Sequence, residues 1–249
     1  VAFQIINDSS LSAIVQNVAG MVGFPVPQDP AGDSDPAVQQ MVQSVNLASQ
    51  DLLSMNDWQE MTRNFTISVQ SDFTGQEEKA FALPQDYYKF IDQTQWDATT
   101  QFPALGPISP QMWQQLQIRN LDVTLSFYWQ VRDRQLYILT PPDSAQTLSF
   151  FYQSLAWVVD QDDATLYKNK MVKNGDTTLL DPHLTTLFAR VKWLEMKGLD
   201  SSAAMRDFQV TFENRKGNDK GAQVLSMARD YRFPYIQPLT STPDTGYGA

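Results

Sequence analysis

Residues 81–116, FALPQDYYKFIDQTQWDATTQFPALGPISPQMWQQL, hold Trp96 and Trp113, three Phe, two Tyr and four Pro within 36 positions. Each proline fixes one backbone angle and removes one amide donor, and each large ring demands buried volume. A chain carrying such a stretch is committed to holding a shape there. The same stretch has no cysteine, no histidine and no nucleophile set beside a base. It therefore reads as a rigid part of a larger whole and not as a catalytic segment.

The rest of the chain is long enough to supply a core for it. At 249 residues, 42% apolar and 18% charged, it belongs with globular proteins and needs no covalent staples. It has no cysteine, which removes disulfides, thiolate zinc sites and thiol nucleophiles; no metal and no cofactor is expected. No run approaches 18 apolar residues, so no membrane span is expected, and the N-terminal VAFQIINDSS lacks the basic start and apolar core of a signal peptide. The net charge of −10 argues against sequence-specific DNA binding, which needs a basic face. It is compatible with DNA passing close by without sticking.

Periodicity divides the chain into helices, strands and helices again. Leu11, Ile14, Val15, Val18, Met21 and Val22 recur at helical spacing over 8–23, and Gly23 supplies the stop. After the proline-broken linker FPVPQDPAGDSDP, Asp35 and Pro36 open a second helix. Its stripe runs from Val38 through Met41, Val45, Ala48 and Leu52 to Met55. Phe65, Ile67 and Val69 then alternate as in a half-buried strand. A second strand is expected at 80–83, a short helix or turn at 84–97, and a short helix after Ser109 and Pro110. Further strands are expected at 123–131, 135–140 and 147–153, with tight turns at Arg132, Asp133 and Arg134 and at Pro141, Pro142 and Asp143. Helical spacing returns after Asp181 and Pro182, where Leu184, Leu187, Phe188, Val191 and Leu194 share a face that Gly198 ends. Asp200 or Ser201 opens a last long helix, whose RKGNDKG middle invites a kink or fraying. The final segment, DYRFPYIQPLTSTPDTGYGA, has no period and reads as an extended arm. The predicted fold is α+β. N- and C-terminal helices (1–60 and 161–229) close into one α-helical bundle, an antiparallel β module (61–160) is inserted between them, and a C-terminal arm follows (230–249).

Candidate chemistry is sparse. His183, the one histidine, shares a D-P-H triplet with Asp181, but side chains two apart on a helix start diverge, and Asp181 is better read as an N-cap. Carboxylates cluster at Asp162 and Asp163, at Glu77 and Glu78, and between Asp29 and Asp35, all in expected loops where solvated charge is the default. Lys168, Lys170, Lys173, Arg190 and Lys192 give a local basic bias that suits a DNA-facing patch, a solvated face or a contact with an acidic neighbouring subunit. In the arm, burying Phe233, Tyr235 and Ile236 would gain about 1.5–3 kcal/mol each, against roughly 1–2 kcal/mol for each residue ordered. Tyr231, Arg232, Phe233, Tyr235 and Ile236 are the docking candidates, and several arms on one assembly would bind where a single arm would not.

Several stretches, taken in order, resemble one family. FALPQDYYKFID, TQWD and PALGPISPQMWQQL, followed by LYILTPP, SFFYQSLAWV and VKWLEMKGLD, are similar to the head-to-tail adaptor (connector) proteins of tailed bacteriophages, also called tail tubular protein A or gatekeeper-like proteins. The likeness runs from about 60 to 215 and leaves out 24–36 and 160–178. It implies a non-enzymatic virion component, assembled in the host cytoplasm: a ring, typically of twelve subunits, between the portal protein and the tail tube or nozzle protein. Genomic double-stranded DNA would pass through its lumen. It also implies subunit contacts through the helical bundle, a tail-facing β module in which Trp96, Pro107, Trp113 and Trp129 are structural, and an arm that docks on the portal. Two other readings stay open: a tail-associated glycan-binding module using Trp129, Tyr152 and Trp157 as a platform, and a hydrolase built on two carboxylates.

Overall fold

A computed structural model describes residues 9–69, 78–118, 127–139 and 146–219. Its architecture is α+β, with a helical bundle and an inserted antiparallel β module. The expected turn at Pro141, Pro142 and Asp143, the strand residues before Phe127, Glu77 and the arm lie outside the described residues.

The helix ends follow from local chemistry. Helix α1 (Leu11–Val22) starts with the Ser10 hydroxyl accepting the Ala13 amide and stops at Gly23, which takes a left-handed φ of 72° that only glycine adopts without strain. Helix α2 (Pro36–Met55) is capped by Asp35, whose carboxylate accepts the Ala37 amide at 2.8 Å. Helix α4 (Pro182–Met196) is capped in the same way by Asp181, at 2.9 Å from the Leu184 amide. Helix α5 (Ser202–Asp219) follows, with Asp200 holding its first amide and Gly217 inside the helix without a break. Helix α4 is the centre of the bundle and packs on α1, α2 and α5. Phe188 of α4 stacks on Phe208 of α5 with centroids 4.3 Å apart. Two apolar expectations fail at the edges of these stripes: Met21 and Met55 are about two-fifths exposed. Ser44, Asn46 and Ser49 of α2 are buried instead, where α2 turns a polar flank into the fold.

The β module is a sandwich. Strand β1 (Thr62–Val69) pairs along its whole length with β7 (Gln146–Ser154), which also pairs with β3 (Tyr87–Phe90) and β4 (Trp96–Asp97). The second sheet has the order β2 (Lys79–Ala82), β6 (Gln135–Leu139), β5 (Tyr128–Arg132). Asp133 and Arg134 both take positive φ at the β5–β6 turn, the backbone that two-residue hairpins with matching twist require. The facing sheets bury Ile67, Phe90, Leu148 and Phe150 against Trp129, Leu136 and Ile138. The expected short helix or turn over 84–97 is instead β3 and β4. Strands of four and two residues are too short to show alternation, and β7 recruits them. Helix α3 (Pro110–Ile118) is inserted before β5, with the Ser109 hydroxyl 3.3 Å from the Met112 amide.

Three two-residue strands absent from the sequence reading, β8 (Val158–Val159), β9 (Tyr167–Lys168) and β10 (Thr177–Thr178), form a third small sheet in the order β10, β8, β9. This sheet sits beside the start of α1, whose Leu11 and Ser12 amides are taken up by the carbonyls of Asp176 and Asn174. Bundle and sandwich are bolted together by Gln153, fully buried at the end of β7, which donates to the Leu53 and Asn56 carbonyls at 3.2 and 2.8 Å.

Candidate functional site

Three polar hubs and one proline-rich strap hold loops and sheet edges in place among the described residues. The strap is residues 101–109. Phe102 and Ala104 pair with the outer edge of β4, through Asp97 N–H to Phe102 O at 2.9 Å and Ala104 N–H to Gln95 O at 3.0 Å. Leu105 and Ile108 then pair with β5, through Trp129 N–H to Leu105 O at 3.1 Å and Ile108 N–H to Trp129 O at 3.2 Å. One segment thus stitches the edge of one sheet to the edge of the other. Its prolines lack the amides that a longer ladder would use, so it caps the edges without extending them.

Among the predicted module residues, Trp113 and Trp129 are almost fully buried within the chain. Trp96 is half-buried on β4 and bridges to Pro103 of the strap. Pro107 follows a cis peptide bond after Gly106. Gly106 has no room for a side chain, since a Cβ there would lie 2.6 Å from the Trp129 carbonyl oxygen and 2.8 Å from its ring.

Glu78 forms the first hub. Its carboxylate accepts from the Trp113 indole at 2.9 Å and the Gln117 amide at 3.2 Å, and pairs with Arg132, so α3 is tied to the β5–β6 hairpin. The Glu78 hydrogen bond raises the pKa of the Arg132 guanidinium, which also lies over the Tyr137 ring at 3.9 Å. Asp86 forms the second hub, accepting from Arg63 at 3.0 Å, Tyr152 at 3.0 Å and Ser154 at 2.6 Å. Burial, then the Asp86 charge, pushes the Tyr152 phenol up to about 12.

Asp176, fully buried, forms the third hub. It accepts from Lys168 Nζ and the Val172 amide at 2.8 Å, and from the Lys173 and Gln161 amides at 2.9 and 3.1 Å. Lys168 also meets Asp160 at 2.6 Å, while Lys173 reaches Asp160 at 3.3 Å and Asp162 at 2.5 Å. The loop that these ions hold is clamped from two sides. Asn46 of α2 exchanges two hydrogen bonds with the Met171 backbone, and Asn174 bonds Asp29 and the Ala31 amide in the linker. The basic bias of 168–192 is therefore largely neutralised inside the chain: Lys168 and Lys173 by these aspartates, and Lys192 by Asp51 at 2.7 Å. These three lysines thus have partners within the chain itself. Asp160 and Asp176 were not singled out in the sequence, because their partners become neighbours only through strands too short to read.

The Lys168 hydrogen bond holds the Asp160 carboxyl below its ordinary range. Burial pushes Asp176 up, but the bonds from Lys168 and the three amides outweigh it, so its net shift is also down. Depressed folded-state values contribute stability that is complete above the unfolded carboxylate pKa, about 3.9, and is lost as pH falls through the folded values. Stability should therefore hold between pH 5 and 8 as far as these groups are concerned and fall below about pH 4. Asp176→Asn should flatten that acid limb in urea titrations; an unaltered limb would remove Asp176 from the account.

Two clefts remain. One of about 550 Å³ lies between β3 and β5, lined by Tyr87, Phe90, Ile91, Pro107, Ile108 and Trp129, with Lys89 paired to Asp57 at 2.7 Å. The other, about 420 Å³, lies at the end of α5 beside Trp58, Leu180 and Pro182, where Arg215 meets Asp181 at 3.1 Å. Among the described residues, every carboxylate displaced from its ordinary pKa is displaced downward. A glycosidase acid needs the opposite shift. His183 is exposed, and Asp181 is committed to capping. The glycan platform is also overturned, since Trp129, Tyr152 and Trp157 are all buried. No described helix is long and apolar enough to cross a membrane.

The model of the SU10 adaptor protein family matches residues 10–229, which take in both the bundle and the sandwich. The chain belongs to the SU10 adaptor protein family. Membership implies a phage adaptor, a structural component of the virion set between head and tail, and agrees at that level with the resemblance in the sequence. No curated protein matches the chain. In an SU10 adaptor, the strap and the hubs are features of a frame that fixes loops and edges in place.

Proposed function

We propose that this SU10 adaptor forms a ring, of twelve subunits, between the portal protein and the tail tube or nozzle protein, with the double-stranded genome passing through its lumen. The observation that carries the reading is the family match over 10–229, which takes helices and β module as one unit. The net charge of −10, together with lysines neutralised inside the chain, supports passage of DNA without adhesion. In this reading the bundle packs subunit to subunit and the β module faces the tail, as in tail tubular protein A. The exposed apolar side chains of Phe102, Leu105, Met112 and Ile118, on the strap and α3, would meet the tail partner.

Segment 230–249, beyond the family match and outside the described residues, is assigned to the portal through Tyr231, Arg232, Phe233, Tyr235 and Ile236. Removing 231–249 should abolish attachment to purified portal while leaving the melting temperature of the remaining chain unchanged. Portal binding that survives the deletion would refute the role given to these residues.

A further inference from the structure

The two stretches that the sequence resemblance leaves out, 24–36 and 160–178, meet in the folded chain at Asn174. Its side-chain Nδ2 donates to Asp29, and its Oδ1 accepts the Ala31 amide at 2.9 Å. Its backbone carbonyl accepts the Ser12 amide at 3.1 Å. One residue of the loop therefore holds both the proline-broken linker and the first turn of α1. Asn174 is also the one asparagine in the chain that glycine follows. Glycine has no Cβ, so its amide nitrogen closes on the side-chain carbonyl carbon of the residue before it with little obstruction. At such a step asparagine is chemically labile and needs no catalyst.

The Gly175 nitrogen, having lost its proton to solvent base, adds to Cγ of Asn174. The bond from Cγ to the side-chain nitrogen breaks, that nitrogen takes up a proton, and ammonia leaves. Water then opens the resulting five-membered succinimide at one of its two carbonyls, giving aspartate or isoaspartate. Nothing is oxidised or reduced, and water is the one co-reactant. The folded chain holds the reacting groups apart. The Gly175 N–H donates to Gln161 Oε1 at 2.8 Å, while the Asn174 side chain is engaged with the linker. Gln161 sits so close that a Cβ on Gly175 would lie 2.7 Å from its Oε1. The φ of Gly175 is not positive, so this close approach, and not a left-handed turn, is what favours glycine here. Cyclisation requires Asn174 to give up both linker bonds and turn back on a Gly175 nitrogen freed from Gln161.

We propose that Asn174 and Gly175 form a self-modification site gated by the linker. The site is shut while the linker is seated on the loop, and it converts to aspartate or isoaspartate once the linker lifts. The change runs one way. Aspartate at 174 replaces the donor that faces Asp29 with a second carboxylate oxygen, so like charges meet where a hydrogen bond stood. The Asn174 hydrogen bond holds the Asp29 carboxyl below its ordinary range, and that support is lost with the amide. Isoaspartate adds an atom to the backbone and displaces the carbonyl that holds Ser12. Either product leaves the linker unlatched from the loop.

The test follows position 174 in the full chain by peptide mapping and mass spectrometry, with aspartate and isoaspartate separated, during incubation at mildly alkaline pH. The folded chain should convert several-fold more slowly than the same chain in urea. Asp29→Ala and Gln161→Ala, both at exposed positions, should each raise the folded rate several-fold while circular dichroism shows the helices intact. A folded rate equal to the rate in urea would overturn the gate, as would variants that convert no faster than the parent chain. Asn174→Asp supplies one product directly. In that variant the Ala31 amide should exchange with deuterium several-fold faster than in the parent, and unchanged exchange there would overturn the release of the linker.

Discussion

Asp176→Ala should destabilise the chain by about 3–5 kcal/mol, the range for breaking a buried ion pair from one side. The carboxylate is fully buried and accepts three backbone amides as well as Lys168. Its loss leaves those donors without a partner in a loop that cannot easily open to water. The damage should spread beyond the loop, because the same loop supplies the carbonyls that take up the first amides of α1 and the Asn174 contacts that hold the linker. Asp163→Ala provides the control, since its bonds to Thr165 are local and exposed. Urea denaturation of the two variants should separate them clearly. A loss below about 1 kcal/mol for Asp176→Ala, the size of an exposed pair, would show that the hub is incidental.

Gly106→Ala should cost about 3 kcal/mol, the upper part of the usual range for overpacking. The obstructing atoms include the Trp129 carbonyl oxygen at 2.6 Å, and that backbone is held by both β6 and the strap. The Trp129 ring offers no relief, being walled by Phe90 and Phe150 at 5.4 and 5.9 Å. Gly20→Ala should do the opposite. Gly20 sits inside α1 with nothing within 4 Å of a new Cβ, so the change should stabilise by about 0.5–1 kcal/mol. Thermal melts of the pair should move in opposite directions. A neutral Gly106→Ala would mean that the strap is not seated tightly on β5.

The parts of this fold legible in the sequence are those set by neighbours along the chain. Asp35 before Pro36, Asp181 before Pro182, Gly23 and Gly198 each act within one helical turn, and the structure uses each as read. Strands β1 and β7 were visible because eight or nine residues give alternation room to show. Strands β4 and β8–β10 were not, since two residues carry no period, and β3 lies in the proline-led stretch 84–97 that reads as a short helix or turn. The proline-rich stretch 81–116 reads as rigid from its composition, but the capping of two sheet edges by 101–109 depends on β4 and β5 both meeting the strap in the folded chain. Likewise the lysines of 168–192 looked like a patch because their partners Asp160, Asp176 and Asp51 are brought to them by tertiary packing.

Assembly into a ring between head and tail is read from the mass of the particle. Mass photometry of the 28.2 kDa chain, alone and mixed with purified portal, should show a closed species carrying twelve copies once portal is present. A chain that stays at monomer mass beside portal, across the concentration range of the measurement, would contradict it.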